Sequence, residues 1–241
     1  MIPRFHCPLP DHPLGRLALP GAVAHHVERV LRLEEGDLVT LFDGRGSEFS
    51  ARLIRDGRNL AADVLAESTP EREGPLDVTL LQCLAASDKM DWIVQKAVEL
   101  GVVRVQPVAS RRAVLRLAGE RADKRVAHWR QIAVSACEQC GRNRVPEIMP
   151  VTSLPQAVAR ESSPQRFILH PAGGVRLVDA SPDRHRPIAL LIGPEGGFDD
   201  DELAAASASG FCPLTLGPRV LRTETAGMAA LAALNTLIGD F

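Results

Sequence analysis

Two loops in the C-terminal third carry the residue types that could do chemistry. The first, LLIGPEGGFDDDE from Leu190 to Glu202, runs from an apolar strand through a Gly-Pro-Glu-Gly-Gly turn into a helix start. Ligands of open α/β sheets bind at such carboxyl ends of strands, and Gly196 and Gly197 permit close backbone approach. A phosphate cradle is the obvious candidate, and the residues argue against it. Neither GxxxxGK[ST] nor GxGxxG occurs, and Asp199, Asp200, Asp201 and Glu202 already fill the positive end of the following helix. A neutral, zwitterionic or cationic ligand fits better than an anion. The second loop, LTLGPRVLRTETAG from Leu214 to Gly227, is again a strand and a Gly-Pro turn, followed by Arg219, Arg222 and Glu224 and then an apolar helix. Charges held between a buried strand and a buried helix are costly unless paired or used. The structural alternative is an ion pair of Arg222 with Glu224 or Glu195; the functional reading is preferred because both loops end strands of one sheet.

Other constellations are weak. Cys137 and Cys140 form one CxxC inside a helical pattern with no second ligand pair, so a zinc site is not expected and buried thiols are. No GxSxG elbow or HExxH occurs, and His6, His128 and His170 stand alone. The absence of Tyr excludes a tyrosine nucleophile, and 4% aromatic residues disfavour an extended base-stacking surface. Charge is unevenly spread. The net of -2 conceals the segment from Arg104 to Arg144, where ten Lys or Arg face three Asp or Glu; it includes Arg111, Arg112, Arg142 and Arg144. Arginine's planar fork suits phosphate, so this segment is either a solvated helix face or a polyanion site.

The elements that must position these loops follow from the hydrophobic rhythm. With 241 residues, 45% hydrophobic and 24% charged, the chain is of globular composition and long enough for one large domain or two smaller ones. Up to about residue 70 the segments alternate with period two (Gly15 to Leu19, Asp37 to Phe42, Glu48 to Ile54, Asn59 to Leu65), broken by turns at Asp43 to Gly46 and Asp56 to Arg58, with one helix near Ala22 to Leu31. The Pro-, Gly- and charge-rich stretch from Ser68 to Pro75 reads as a linker. Beyond it, apolar strands at Val78 to Ala85, Val102 to Val108, Phe167 to His170, Ala189 to Gly193 and Pro213 to Leu216 alternate with helices at Lys89 to Leu100 (Asp88 its N-cap) and Glu120 to Cys140. Continuous apolar strands between amphipathic helices imply a parallel sheet covered on both faces, an α/β fold. The last helix, Ala226 to Ile238, is apolar almost all round and must be covered, by its own domain or by a second subunit. No run reaches the roughly 18 apolar residues of a membrane span, no apolar signal run opens the chain, and five thinly spread cysteines suggest reduced thiols, so a cytoplasmic protein is expected.

With these residues in view, the chain resembles the bacterial 16S ribosomal RNA uridine N3-methyltransferases (the RsmE-type family) of the SPOUT superfamily. The resemblance rests on PRF at Pro3 to Phe5, HHVERVLRLEEGD at His25 to Asp37, FDGRG at Phe42 to Gly46, DKMDWIVQKAVELGV at Asp88 to Val102, SACEQCGRNRVP at Ser135 to Pro146, LIGPEGGF at Leu191 to Phe198 and LGPRVLRTETA at Leu216 to Ala226. It implies a PUA-like RNA-binding β-barrel domain over residues 1–72, then a SPOUT methyltransferase domain over 73–241 with a C-terminal trefoil knot, working as a homodimer on 16S rRNA of the small ribosomal subunit with S-adenosyl-L-methionine (S-adenosylmethionine) as cofactor. By motif, the cofactor loops would be Leu169 and His170; Ile192, Gly193, Pro194, Glu195, Gly196 and Gly197; and Leu216, Gly217, Val220 and Leu221. His6 and His170 depart from the family's usual residues, an aromatic or apolar one and an acidic one respectively. On this reading Arg222 stabilises charge developing on the uracil, Glu195 or Glu224 orients it or accepts its proton, and Arg4, Arg29, Arg32, Arg111, Arg112, Arg142 and Arg144 meet RNA phosphates. The alternatives are transfer to a ribose 2′-OH or another base, or an RNA-binding assembly factor without activity.

Overall fold

The computed structural model describes residues 2–10, 13–57, 59–171 and 173–241. Two compact units emerge, the first comprising Met1–Glu73 with Cys137–Val145 and the second Gly74–Ala136 with Pro146–Phe241. Strands of the first unit are β1 (Arg4–His6), β2 (Gly15–Ala18), β3 (Leu38–Phe42), β4 (Glu48–Asp56) and β5 (Asn59–Ser68), ordered β1-β3-β4-β5-β2 in one sheet. All pairs are antiparallel except β1 with β3. The inward residues of β4, Phe49, Ala51 and Leu53, are buried while Ser50 and Arg52 are exposed, which is why a period-two pattern could be read there. Between β2 and β3, α1 (Gly21–His25) continues into π-helical turns over His26–Val30. Arg58, in the second expected turn, lies outside the described residues.

A short strand such as β1 carries little pattern of its own, and it was not expected. Its Arg4 is the reason it is ordered. The guanidinium, 10% exposed, meets Glu48 (14% exposed) at 2.6 Å and donates to the Asn143 side chain at 2.5 Å and the Gly141 carbonyl at 3.2 Å. Nearby, Glu73 accepts from Arg142 Nε at 2.7 Å and from the backbone amides of Asn143 and Arg144 at 3.2 and 3.0 Å. The expectation that Arg4 and Arg142 meet phosphate is therefore corrected: buried ion pairs hold the 137–145 segment within the first unit, because a buried cation needs a fixed counter-charge. The cysteine pair is corrected in part, since Cys137 is buried and Cys140 is exposed.

In the second unit the strands are β6 (Val78–Cys83), β7 (Arg104–Ala109), β8 (Glu147–Ile148), β9 (Thr152–Ser153), β10 (Gln165–Leu169), β11 (Val175–Arg176), β12 (Ile188–Ile192) and β13 (Cys212–Thr215). They form a parallel sheet ordered β11-β13-β10-β12-β6-β7-β8, with β9 also on β7. Every residue of β6 and β12 is buried, as central strands covered on both faces must be. The helices are α2 (Ser87–Glu99), α3 (Gly119–Cys140), whose residues from Cys137 on belong to the first unit, α4 (Leu154–Arg160), α5 (Asp200–Ala208) and α6 (Thr223–Ile238). Helix α2 buries Met90, Ile93, Val94, Ala97 and Val98, the stripe its spacing predicts, but its N-cap is Ala86 rather than Asp88. Helix α6 is covered along one face, through Gly227, Met228, Ala230, Leu231 and Leu234. It lies against α2 and β12. No described helix is long and apolar enough to cross a membrane.

Candidate active site

Three neighbouring strands, β10, β12 and β13, deliver the loops singled out above. Past β12 the chain turns at Gly193, where a Cβ would sit 3.0 Å from the Phe198 ring. The turn closes through Gly197 N–H to the Pro194 carbonyl at 3.0 Å, with Gly197 at φ +68°. The start of α5 is then sealed by its own side chains. Asp199 accepts from the Glu202 amide at 2.8 Å while Glu202 accepts from the Asp199 amide at 3.1 Å, a reciprocal capping box. Arg111 bridges Asp199 at 3.0 Å and Asp201 at 2.6 Å, and its amide donates to Glu202 at 2.8 Å. Two amides of that helix start are taken by the capping box, and the acidic side chains of Asp199, Asp200, Asp201 and Glu202 crowd the rest, a poor setting for phosphate.

The second loop is pinned at the far end by Thr223, the first residue of α6. Its buried hydroxyl donates to the Gly193 carbonyl at 2.6 Å and accepts from Gln82 Nε2 at 2.9 Å, tying together the loop after β12, strand β6 and α6. Between the loops opens a cavity of about 470 Å³, within the size range of small-molecule sites. Of the residues expected to contact a cofactor, Leu169, His170, Ile192, Gly193, Pro194, Glu195, Gly197, Val220 and Leu221 line it. Leu216 lines an adjoining hollow of about 70 Å³ with Arg219. Gly196 and Gly217 line neither; a Cβ on Gly196 would meet Arg112 Cβ at 2.9 Å, and Gly217, at φ +94°, shapes the turn after β13. The walls are apolar side chains and backbone edges, with Lys89, Glu195 and Arg222 as the charged groups.

Lys89 is the residue that the sequence reading missed. It stands in the first turn of α2, and its ammonium lies 3.3 Å from Glu195 and 3.2 Å from Glu224. Neither carboxylate pairs with Arg222, so the structural alternative raised above does not hold; the pairing goes to Lys89 instead. The Glu224 carboxylate is the largest cause raising the Lys89 pKa; desolvation, the next largest, opposes it, and Glu195 adds to the rise. Burial pushes Glu195 up, but its own amide, the Ala86 amide at 3.2 Å and Lys89 together outweigh it and hold the carboxyl below its usual range. Its folded pKa being depressed, Glu195 is ionised at neutral pH and loses these bonds only as pH falls through that lowered value. Such a carboxylate is a poor proton acceptor near neutrality. Arg222, the exposed N-cap of α6, has no ion pair and no side-chain hydrogen bond among the described residues.

The remaining phosphate candidates divide by unit. Arg29, Arg32 and Arg144 are exposed in the first unit, their guanidinium groups without a carboxylate partner among the described residues, and Arg32 holds the left-handed conformation at φ 53°. In the second unit Arg111 is neutralised by its two aspartates, and Arg112 braces the first loop by donating to the Phe198 carbonyl at 3.1 Å.

Comparison with known proteins places this arrangement in a class. Residues 72–235 match the family described as RNA methyltransferase domain and residues 19–64 the RNA methyltransferase PUA domain, so a PUA unit precedes a methyltransferase unit of the SPOUT fold. Ribosomal RNA small subunit methyltransferase E of Mycobacterium bovis is 34% identical over 237 residues, covering 95% of this chain and 89% of that protein. The protein of that name from Neisseria gonorrhoeae, solved bound to S-adenosyl methionine, is 40% identical with a TM-score of 0.91, and a Legionella pneumophila protein solved with bound SAM is 37% identical with a TM-score of 0.94; each covers 100% of both chains. The chain belongs to the ribosomal RNA small subunit methyltransferase E family.

Proposed function

We propose that the protein transfers a methyl group from S-adenosylmethionine to N3 of a uridine in 16S rRNA, with residues 1–72 engaging the RNA and 73–241 carrying the chemistry. The observation that supports it best is the cavity: cofactor-sized, beside a helix start crowded with carboxylates, and bordered by a guanidinium with no ion pair among the described residues. Apolar walls from Ile192, Leu169 and Leu221 suit an adenine ring, while the exposed edges of both loops and the ionised Glu195 suit a cationic, zwitterionic ligand. When bound, the cofactor supplies a methyl group activated by a sulfonium. What the chain must do is hold the uracil in line and favour its anion, because the N3 proton ionises well above neutral pH and must leave as the new N–C bond forms. A cation lining the cavity at Arg222 supports a role for it in stabilising that charge. Glu195, held below its usual range by its own amide, the Ala86 amide and Lys89, orients the site together with Glu224, and water accepts the proton.

Tritiated methyl transfer to small-subunit RNA, followed by digestion to nucleosides, tests this directly. Label in 3-methyluridine supports it; label in a 2′-O-methyl nucleoside would redirect the assignment within the superfamily, and no transfer would leave an RNA-binding protein. Arg29, Arg32 and Arg144 are the residues offered for phosphate contact. Three such contacts give a log-log slope of affinity against salt of roughly −2 to −3. Gel-shift titrations across salt concentrations check it, and a flat response would remove these residues from the interface.

The trefoil knot and the homodimer belong to the same proposal. The strand order supports the first, since the chain leaving β12 must pass β10 to place β13 on its other side. The outer face of α6, with Ala229, Ala232, Ala233 and exposed Leu237, supports the second. Analytical ultracentrifugation is expected to give twice the 26.0 kDa chain mass, and a monomer at micromolar concentration would exclude the dimer.

A further inference from the structure

Three charged side chains meet around the cavity without the pairing that chemistry would default to. Arg222 and Glu195 line the same cavity, and Glu224 follows Arg222 by two residues, yet no ion pair joins the guanidinium to either carboxylate. Both carboxylates are held instead by Lys89. The placement of Lys89 is itself unfavourable, because the first turn of a helix presents a positive dipole end and disfavours a cation. A residue placed against its local electrostatics, between one carboxylate from each loop, is there for what it holds.

We propose that Lys89 is a positioning residue for methyl transfer, joining the two loops through Glu195 and Glu224 and keeping both carboxylates from Arg222, so that the guanidinium stays unpaired at the cavity. The inference rests on the methyltransferase reading given above. A guanidinium already locked in a bidentate carboxylate pair has its charge neutralised and its donors occupied. It would have little left for a uracil oxygen. Without Lys89, two carboxylates near each other and near Arg222 are expected to recruit it, and the site would retain its shape while losing its electrophile.

The variants Lys89→Met, Lys89→Arg and Lys89→Met with Glu224→Gln separate this from a merely structural role. Methionine is a good helix former and removes a cation that opposes the dipole, so a folded protein is expected. With saturating cofactor, Lys89→Met should lower kcat roughly tenfold with KM for RNA nearly unchanged, since the loss falls on alignment and not on binding. Lys89→Arg should recover most of the rate, and the double variant part of it. A readout independent of turnover is the Arg222 Nε–H signal in nitrogen-15 NMR, assigned by its disappearance in Arg222→Ala. It should exchange rapidly with water in the parent protein and slow and shift in Lys89→Met. An Arg222 signal unaltered in Lys89→Met, a kcat within twofold of the parent, or a double variant no faster than the single one would each overturn the proposal. If the parent protein transfers no methyl to small-subunit RNA, the methyltransferase reading itself fails, and the Arg222 signal alone decides whether Lys89 controls that guanidinium.

Discussion

Replacement of Arg222 by alanine is expected to lower kcat by about 100- to 1,000-fold, the magnitude typical of losing one preorganised donor at a developing negative charge. The argument runs from placement. Arg222 caps α6 with its backbone, its carbonyl accepting from Thr225 and Ala226 at 2.9 and 2.8 Å, so the main chain is fixed by the helix while the side chain remains uncommitted. Its loss should leave the fold and the cofactor's dissociation constant nearly intact, since among the described residues the guanidinium makes no ion pair and no hydrogen bond. The effect should lie on the chemical step, with KM for RNA changing little. It should also alter the pH profile: the guanidinium favours the uracil anion, so the variant's rate should continue to rise with pH after the parent's has levelled off. Arg222→Lys keeps a charge without the planar fork and should fall between the two. A kcat of Arg222→Ala within threefold of the parent would leave the site without its electrophile, and Lys89 would be the next cation to test.

The loops were legible because each is a local event. A run such as Ile188–Ile192 has no polar residue, so its burial and its end at Gly193 can be read in a window of ten residues, and the same holds for the Gly-Pro turn after β13. The capping box at Asp199 and Glu202 was visible as a crowd of acids for the same reason. What escaped was long-range. Lys89 lies more than a hundred residues before the carboxylates it joins, and the one local clue was a lysine in a helical first turn. Glu195 in turn supplies the hydrogen bond to the Ala86 amide at the start of α2, which is why the local N-cap reading of Asp88 failed.

The basic segment shows the same limit from the other side. Counting charges could not distinguish an arginine spent inside the protein from one held out to solvent. Arg142 is buried against Glu73, and Arg111, though exposed, is paired with Asp199 and Asp201, while the exposed Arg144 guanidinium has no carboxylate partner among the described residues. Whether a charge is available depends on its partner, and every one of these partners is more than sixty residues away. Strand β1 was invisible because three residues cannot show an alternation; it is defined by pairing with β3 and by the ion pair from Arg4 to Glu48.

Gln82 was the signal most open to being read and not used: a single amide in the buried core strand β6, whose other polar residue is Thr79. Buried amides are normally hydrogen bonded, and the Gln82 Nε2 donates to the Cys83 carbonyl and to Thr223, whose hydroxyl passes the connection on to the Gly193 carbonyl. Thr223→Val keeps the shape and removes both bonds, leaving the Gly193 carbonyl and one Gln82 N–H unmet. The expected loss is about 2 kcal/mol of unfolding free energy, the usual penalty for stranding buried polar groups. Because Gly193 lines the cavity, the loop should also loosen, and affinity for S-adenosylmethionine should fall by about tenfold, or roughly 1.4 kcal/mol. Urea denaturation and calorimetric titration measure the two separately. Thr223→Ser is the decisive companion, since it keeps the hydroxyl and removes one methyl group, at a cost of about 1 kcal/mol in stability with cofactor affinity preserved. If serine weakens cofactor binding as much as valine does, the effect comes from packing at the start of α6, and the hydrogen-bonded link from β6 to the cavity has no part in holding the loop.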